Sequence, residues 1–161
     1  MIRILFVCLG NICRSPTAEG VLREMLRAET PALDVAVDSA ATANYHVGEP
    51  PDLRSQHAAR LRGIDLGALR ARQVHPGDFS EFDFILAMDR ANLRDLEAMR
   101  PPHSRAKLKL FMEFFPQARI DEVPDPYEGG PAGFEAVLDL TEGAASGLIA
   151  ALRQRAHRSV S

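Results

Sequence analysis

The chain has 161 residues, of which 46% are hydrophobic and 25% are charged, and its formal net charge at pH 7 is −3. These values are typical of one soluble globular domain that can bury a sizeable core. No apolar run reaches membrane-spanning length, the N-terminus lacks the features of a signal peptide, and the net charge gives no reason to expect nucleic acid. We therefore expect a single cytoplasmic domain over 1–161, with 157–161 as a frayed tail.

The first third of the chain alternates predicted strands with a predicted helix. The apolar run Ile2 to Val7 predicts a strand, and apolar residues at helical spacing from Ala18 predict a helix to about Glu29. The stretch from Asp34 to Asp38 predicts a short second strand. Two parallel strands around a helix form a right-handed unit, whose ligands bind at the carboxyl ends of the strands.

The rest of the chain continues this alternation. The predicted elements are a helix over 53–62 that Gly63 ends, a strand over 82–88, a helix over 90–99, a strand over 107–111 and a last helix over about 134–155. Strands that alternate with helices predict an α/β fold, in which helices cover both faces of a parallel sheet.

The stretch from Cys8 to Pro16, Cys-Leu-Gly-Asn-Ile-Cys-Arg-Ser-Pro, forms the predicted turn between the first strand and the first helix. A turn at a helix N-terminus points backbone N–H groups at one spot, and the helix dipole adds positive charge, which suits a dianion such as phosphate. Gly10 and Asn11 adopt left-handed backbone angles most readily, and the Arg14 guanidinium can hold two phosphoryl oxygens. The same positive environment favours the nucleophilic thiolate of Cys8.

A plainer interpretation of these residues exists. Taken singly, Cys8 could be a small buried apolar residue, and Arg14 and Ser15 could be a surface charge and a helix cap. The position of the motif directly after the first strand favours the chemical interpretation.

Cys8 and Cys13 are the only two cysteines of the chain, and both lie in this turn. Two cysteines form neither a disulfide framework nor a closed zinc site, and the five histidines show no metal-ligand spacing. We therefore expect no metal and no other cofactor. A reversible disulfide in which Cys13 protects Cys8 is a further hypothesis.

The run from Cys8 to Pro16 resembles the phosphate-binding loop of the low-molecular-weight protein tyrosine phosphatases, and the resemblance extends from Ile2 to about Arg155. It implies a four-stranded sheet in the order 2-1-3-4, with the loop after strand 1 at the switch point. It also implies hydrolysis of phosphotyrosine in proteins through a phosphocysteine on Cys8, with Arg14 binding the phosphoryl group. The other loop residues assigned to substrate binding are Leu9, Gly10, Asn11, Ile12, Cys13 and Ser15.

Displacement of a phenol from phosphate needs a proton donor that lies outside the phosphate loop. Asp125 precedes Pro126, which restricts the backbone of Asp125 to an extended conformation, although ordinary turn chemistry explains an Asp-Pro pair equally well. The general acid of the resembled family lies in such an Asp-Pro-aromatic segment, so the resemblance implies that Asp125 is the general acid and base. The Ser15 hydroxyl could donate to the Cys8 sulfur, cap the helix, or do both.

The resemblance also implies several supporting residues. Asn11 and Ser39 match positions that hold the loop through side-chain hydrogen bonds. Tyr45 and Tyr127 match positions beside the cleft, where aromatic walls suit a phenyl ring. Asp89 matches an aspartate near the loop, although a helix N-cap explains it equally well.

Two positions depart from the family pattern. Leu69 and Arg70 occupy a region in which some members carry a histidine that partners the aspartate matched by Asp89. Glu128 stands where some members carry a second tyrosine, which bears on substrate preference. The first departure puts a supporting His–Asp pair in doubt.

Two alternative functions share parts of this pattern. Thioredoxin-coupled arsenate reductases have a similar loop but need further cysteines downstream, and no cysteine follows Cys13. A catalytically silent phosphotyrosine-binding module would keep Arg14 but would not need both Cys8 and Asp125. The expected partners are therefore phosphotyrosine-containing proteins, with no nucleic acid and no membrane, and the expected state is a monomer or weak dimer.

Overall fold

The computed structural model describes residues 1–160, and their side chains as far as 158. It has one four-stranded parallel sheet in the order β2-β1-β3-β4, which confirms the predicted fold and strand order. The strands are β1 (Ile2–Cys8), β2 (Val35–Ala41), β3 (Phe84–Ala87) and β4 (Lys107–Leu110).

Five helices accompany the sheet in the described part of the chain. They are α1 (Arg14–Arg27), α2 (Leu53–Arg60), α3 (Asp78–Glu81), α4 (Arg90–Met99) and α5 (Pro131–Val160), with 3-10 turns at Phe111–Phe114 and Pro116–Ala118. The pattern missed α3 and both 3-10 turns, because segments of three or four residues carry too little periodicity to be recognised. Gly63 has a φ of +80° in the turn after α2, where the sequence predicted a stop.

The last helix is longer than the sequence predicted. It begins three residues before Phe134, and its backbone continues to Val160, so that 157–160 are helical although we expected a frayed tail. Ser161 lies outside the described residues. The assignment of 1–161 to a single domain stays a prediction.

Strand β1 lies inside the sheet, and its side chains alternate between two apolar clusters. Ile4 and Phe6 pack with residues of α1 and α5 on one face, whereas Leu5 and Val7 pack with residues of α3 and α4 on the other. All four side chains are fully buried. Helices therefore cover both faces of the sheet, as predicted.

The strand register brings the predicted site residues together at the carboxyl-terminal ends of the strands. Cys8, the last residue of β1, pairs with Ala41 at the end of β2, and Val7 pairs with Ala87 at the end of β3. Asp89 follows β3 two residues later. None of the helices in the described part of the chain has the length and apolar character needed to cross a membrane.

Candidate active site

The turn between β1 and α1 is held by hydrogen bonds to its carbonyl groups. The carbonyls of Cys8, Leu9 and Ile12 accept from the N–H groups of Thr42, Ala43 and Asp52 at 3.0, 3.0 and 2.8 Å, and that of Cys13 accepts from the Thr17 hydroxyl at 2.7 Å. These contacts fix the backbone of the turn around Cys8. The N-terminus of α1 adds its dipole at the same place.

The two residues expected to take left-handed backbone angles differ from each other. Asn11 has a φ of +58°, as predicted, whereas Gly10 has no positive φ, so that part of the prediction is wrong. Gly10 instead packs closely against His46, since a Cβ atom there would lie 3.0 Å from Cδ2 of that side chain.

The sulfur of Cys8 lies at the base of the turn and is 2% exposed. The backbone N–H of Asn11 donates to Sγ at 3.2 Å, and the Ser15 hydroxyl oxygen lies 3.0 Å from Sγ. Ser15 is the second residue of α1, and the cap position before the helix belongs to Cys13. Of the two roles predicted for Ser15, the structure therefore shows the contact with sulfur and not the helix cap.

A chain of buried hydrogen bonds lies behind the sulfur. The Asn11 side-chain amide donates to the hydroxyls of Ser15 at 2.7 Å and Ser39 at 3.0 Å, and Ser39 donates to Glu19 at 2.6 Å. The backbone N–H of Arg72 donates to the side-chain oxygen Oδ1 of Asn11 at 3.1 Å, which fixes the orientation of the side-chain amide. The predicted hydrogen bonding of Asn11 and Ser39 is thus present, and it orients the hydroxyl that faces Cys8.

Sequence reasoning missed Glu19, the carboxylate at the end of this chain. It is 2% exposed and pairs with Arg23 at 2.6 Å. Burial raises the pKa of Glu19, although Ser39 and Arg23 act in the opposite direction. The available signal was its place on α1 beside the apolar residues Ala18 and Leu22, where a solvated carboxylate would not lie.

The Arg14 guanidinium is 3% exposed and is held along one edge. Its Nη1 donates to Oδ2 of Asp89 at 2.6 Å and to the Val123 carbonyl at 3.0 Å, while Nη2 lies 3.7 Å from Oδ2 of Asp125. Its Nε is buried and has no hydrogen-bond partner among the residues that the structure describes. Burial disfavours the charged form, but Cys8, Asp89 and Asp125 outweigh it and raise the pKa of Arg14. The Nε–Nη2 edge is therefore a charged fork that remains available to an anion.

Asp89 fulfils both roles that the sequence left open. Its Oδ1 accepts from the N–H of Asn92 at 2.7 Å and so caps α4, while Oδ2 binds Arg14. Leu69, in the region where a histidine partner was sought, packs against the apolar core. Arginine and backbone groups thus satisfy Asp89 in the described structure.

Asp125 and two aromatic residues border the open side of the cleft. The Asp125 side chain is 45% exposed, and its Oδ1 accepts from the N–H of Tyr127 at 3.1 Å. Tyr45 and Tyr127 line the cleft, as predicted, and so does His46, which the sequence gave no reason to select. The remaining lining residues are Cys8, Leu9, Gly10, Ile12, Cys13 and Arg14.

Four predicted residues lie behind the cleft rather than on its surface. The Ser15 side chain contacts the sulfur, and the Asn11 side chain donates to Ser15 and Ser39. Asp89 supports Arg14. Asn11 and Ser15 were expected to bind substrate, but their side chains are committed to buried contacts. The backbone N–H of Asn11 is likewise engaged, since it donates to the Cys8 sulfur.

The second cysteine differs chemically from the first. Cys13 is 5% exposed, and burial raises the pKa of its thiol to about 12, with the Ser55 hydroxyl acting in the opposite direction. Cys13 is therefore a neutral thiol at physiological pH. Among the described residues, no cluster of three or more His, Cys, Asp or Glu side chains is arranged to hold a metal ion.

The chain is similar to known proteins over nearly its whole length. The sequence model of the family described as low molecular weight phosphotyrosine protein phosphatase matches residues 3–158. Proteins of that name from Mus musculus and Schizosaccharomyces pombe are 45% and 46% identical, and each alignment covers 83% of this chain and 85% of the relative. The crystal structure of a protein tyrosine phosphatase from Entamoeba histolytica superimposes with a TM-score of 0.90 at 38% identity, covering 96% of this chain and 98% of the other.

Proposed function

Because the chain belongs to the low-molecular-weight phosphotyrosine protein phosphatase family, a class of cysteine-dependent hydrolases, we propose that it hydrolyses phosphotyrosine in proteins through a phosphocysteine on Cys8. One observation carries this proposal: Cys8, Arg14 and Asp125 all border one cleft. A nucleophile, an anion-binding group and a proton donor are the three parts that the reaction needs.

In the first step the Cys8 thiolate attacks phosphorus in line with the leaving phenolic oxygen. A bond forms between sulfur and phosphorus as the bond between phosphorus and oxygen breaks. The Nε–Nη2 edge of Arg14 and the turn amides bind the equatorial oxygens, where negative charge is concentrated. Asp125 donates its proton to the departing oxygen, so that tyrosine leaves as a neutral phenol.

In the second step water attacks the phosphorus of the phosphocysteine. Asp125, now a carboxylate, accepts a proton from this water, and phosphate forms as the bond between phosphorus and sulfur breaks. The Ser15 hydroxyl, 3.0 Å from Sγ, donates to the thiolate as it departs. The side-chain amide of Asn11 donates to the same hydroxyl oxygen at 2.7 Å, and sulfur is a nearer acceptor for the hydroxyl proton than the Ala40 carbonyl at 3.5 Å.

The walls of the cleft favour an aromatic phosphoester. Tyr45, His46 and Tyr127 border the entrance, and the Tyr127 and His46 rings lie 6.2 Å apart between centroids. Flat side chains of this kind form a slot that suits a phenyl ring better than a short aliphatic chain. We place the enzyme in the cytoplasm as a monomer or weak dimer, which cell fractionation and analytical ultracentrifugation can test.

The proposal can be tested with four proteins, each assayed for hydrolysis of phosphotyrosyl, phosphoseryl and phosphoarginyl peptides. Phosphoarginine is included because a Drosophila arginine phosphatase is a structural neighbour, with a TM-score of 0.85 at 31% identity over 92% of this chain and 96% of the other. The proteins are wild type, Cys8→Ser, Asp125→Asn and the control Asp121→Asn, which alters an exposed acid on the same segment.

We expect wild type and the control to hydrolyse only the phosphotyrosyl peptide, and Cys8→Ser to be inactive. Since a general acid contributes about a hundredfold to ten-thousandfold, Asp125→Asn should be slowed by that range. A wild type that binds phosphate without turnover would point to the silent binding module. Faster hydrolysis of the phosphoarginyl peptide would refute the proposed substrate class but leave the phosphocysteine mechanism in place.

A further inference from the structure

We propose that Arg54 is a positioning residue that fastens the segment 125–129 beside the phosphate-binding turn and thereby determines how well Asp125 delivers its proton. This inference rests on the proposed function, since it presumes that Asp125 is the general acid. Arg54 is the second residue of α2, and no sequence pattern selected it.

Arg54 holds the acid-bearing segment through two backbone carbonyl groups. Its Nη2 donates to the Tyr127 carbonyl at 2.8 Å, and its Nη1 donates to the Gly129 carbonyl at 3.4 Å. The guanidinium carbon also lies 5.5 Å from the centroid of the Tyr127 ring. The contacts fall two and four residues after Asp125, so they restrain the backbone on which its carboxyl group is carried.

The guanidinium is itself anchored on the opposite side. Its Nε and Nη2 donate to the two carboxylate oxygens of Asp52 at 3.0 and 2.9 Å, the two-point geometry that lysine cannot reproduce. The hydrogen bond from Arg54 lowers the pKa of Asp52, so this carboxylate stays charged. The guanidinium carbon lies 4.7 Å from the Phe134 ring centroid in α5.

Asp52 connects this anchor to the phosphate-binding turn. Its backbone N–H donates to the Ile12 carbonyl at 2.8 Å, inside the turn that surrounds the Cys8 sulfur. The connection therefore runs without interruption from Ile12 through Asp52 and Arg54 to the carbonyl of Tyr127. It joins the part of the site that binds phosphate to the part that supplies the proton.

The Asp125 segment depends on a restraint of this kind. The Asp125 side chain is 45% exposed, and its charge contact with Arg14, at 3.7 Å, is longer than a hydrogen bond. Its Oδ1 accepts from the neighbouring N–H of Tyr127, which belongs to the same segment. Proton transfer falls steeply when donor and acceptor are misplaced, so a loosened segment would slow leaving groups that require a proton.

The inference can be tested with a series of aryl phosphates. Their leaving phenols range from weakly to strongly acidic. The quantity measured is kcat/KM, which reports on steps through the first irreversible one, here phosphoryl transfer to Cys8. The variants are Arg54→Met, which keeps an unbranched chain against Phe134, and Asp52→Asn, which keeps an oxygen for the N-cap of α2. Asp125→Asn is the reference, and Arg60→Met, an exposed arginine on the same helix, is the control.

For Arg54→Met we expect kcat/KM to fall about tenfold with phenyl phosphate, the lower end of what a lost charge-assisted hydrogen bond costs. With the most acidic phenol, which leaves without a proton, the loss should be less than about twofold. Asp52→Asn should show the same dependence on the leaving group to a smaller extent, and Arg60→Met should match wild type.

Three outcomes would overturn the inference, and they can be told apart. An equal loss across all leaving groups in Arg54→Met would assign Arg54 to phosphate binding or folding instead of proton delivery. In a second outcome, Arg54→Met and Asp52→Asn both behave as wild type, while kcat/KM of Asp125→Asn depends steeply on the acidity of the leaving phenol. Asp125 would then be the general acid, but Arg54 would not position it. If Asp125→Asn itself shows no dependence on the leaving group, the proposed acid fails and the inference fails with it.

Discussion

The Asp89 side chain makes two interactions, one with Arg14 and one with the N-terminus of α4, and two substitutions of Asp89 measure them separately. Its Oδ2 binds the Arg14 guanidinium at 2.6 Å, and its Oδ1 accepts the Asn92 N–H that caps α4. Asp89→Asn keeps an oxygen for the cap but turns an amide donor toward the guanidinium. Asp89→Ala removes both interactions.

The expected magnitudes follow from the burial of the guanidinium. Arg14 is 3% exposed, so water cannot replace the lost carboxylate, and the Val123 carbonyl is left as its main hydrogen-bond acceptor. A hydrogen bond to a charged group contributes about 1.5–3 kcal/mol, so we expect Asp89→Asn to lower the free energy of unfolding by about 2 kcal/mol. Loss of the cap adds about 1 kcal/mol, which puts Asp89→Ala near 3 kcal/mol.

Urea denaturation at neutral pH, monitored by far-UV circular dichroism, measures both variants against wild type. Inhibition by inorganic phosphate, measured on the same samples, reports whether the guanidinium has lost its alignment, and we expect weaker inhibition for both variants. The reasoning would be refuted if Asp89→Asn unfolded at the wild-type urea concentration and bound phosphate normally. Equal destabilisation of the two variants would refute the separate capping contribution.

Three further predictions concern Cys13, Glu19 and Gly147. Because burial raises the pKa of Cys13 to about 12, iodoacetamide at pH 7.5 should label only the other cysteine, as read by peptide mass spectrometry. Burial also raises the pKa of Glu19 in the folded state. Between the ordinary pKa of a glutamate and this raised pKa, the folded state therefore binds more protons than the unfolded state. Wild type should lose stability relative to Glu19→Gln as pH rises through this interval. Gly147→Ala would place Cβ 1.8 Å from the Phe114 carbonyl oxygen and should cost about 1–3 kcal/mol, whereas Gly130→Ala meets nothing within 4 Å.

Each of these predictions has a result that contradicts it. Labelling of Cys13 in folded protein at pH 7.5 would mean that its thiol is not held neutral. A stability difference between wild type and Glu19→Gln that stays constant across pH would mean that the carboxyl group does not titrate differently in the two states. Equal melting temperatures for Gly147→Ala and Gly130→Ala would mean that α5 moves away from Phe114 at little cost.

The sequence predicted the parts of the fold that depend on regular patterns. The bounds of α4 agree with the prediction, because a capping aspartate and the Pro101–Pro102 pair mark its two ends. The start of α5 was placed three residues late, although Pro131 is of a residue type that is favoured in a first helical turn.

The site was predictable where one local motif contains its parts. The turn from Cys8 to Arg14 is such a motif, and its resemblance to a known family extended the prediction to Asp125. His46 lies in a loop, and Arg54 lies on a helix whose pattern gives no reason to select it. The contacts that place them at the site are with residues distant in sequence. Gly10 illustrates the same limit, since the sequence does not distinguish a glycine that packs closely against a neighbour from one that adopts a positive φ.

The phosphorylation state of Cys8 during turnover tests the central proposal most directly. Wild type, Asp125→Asn and Cys8→Ser would each be mixed with an activated aryl phosphate, quenched within milliseconds, digested and examined by mass spectrometry. We predict one added phosphoryl group on the peptide that carries Cys8 in wild type, a longer-lived one in Asp125→Asn, and none in Cys8→Ser. Steady turnover by wild type with no phosphoryl group on Cys8 at any time point, or undiminished turnover by Cys8→Ser, would contradict the proposal.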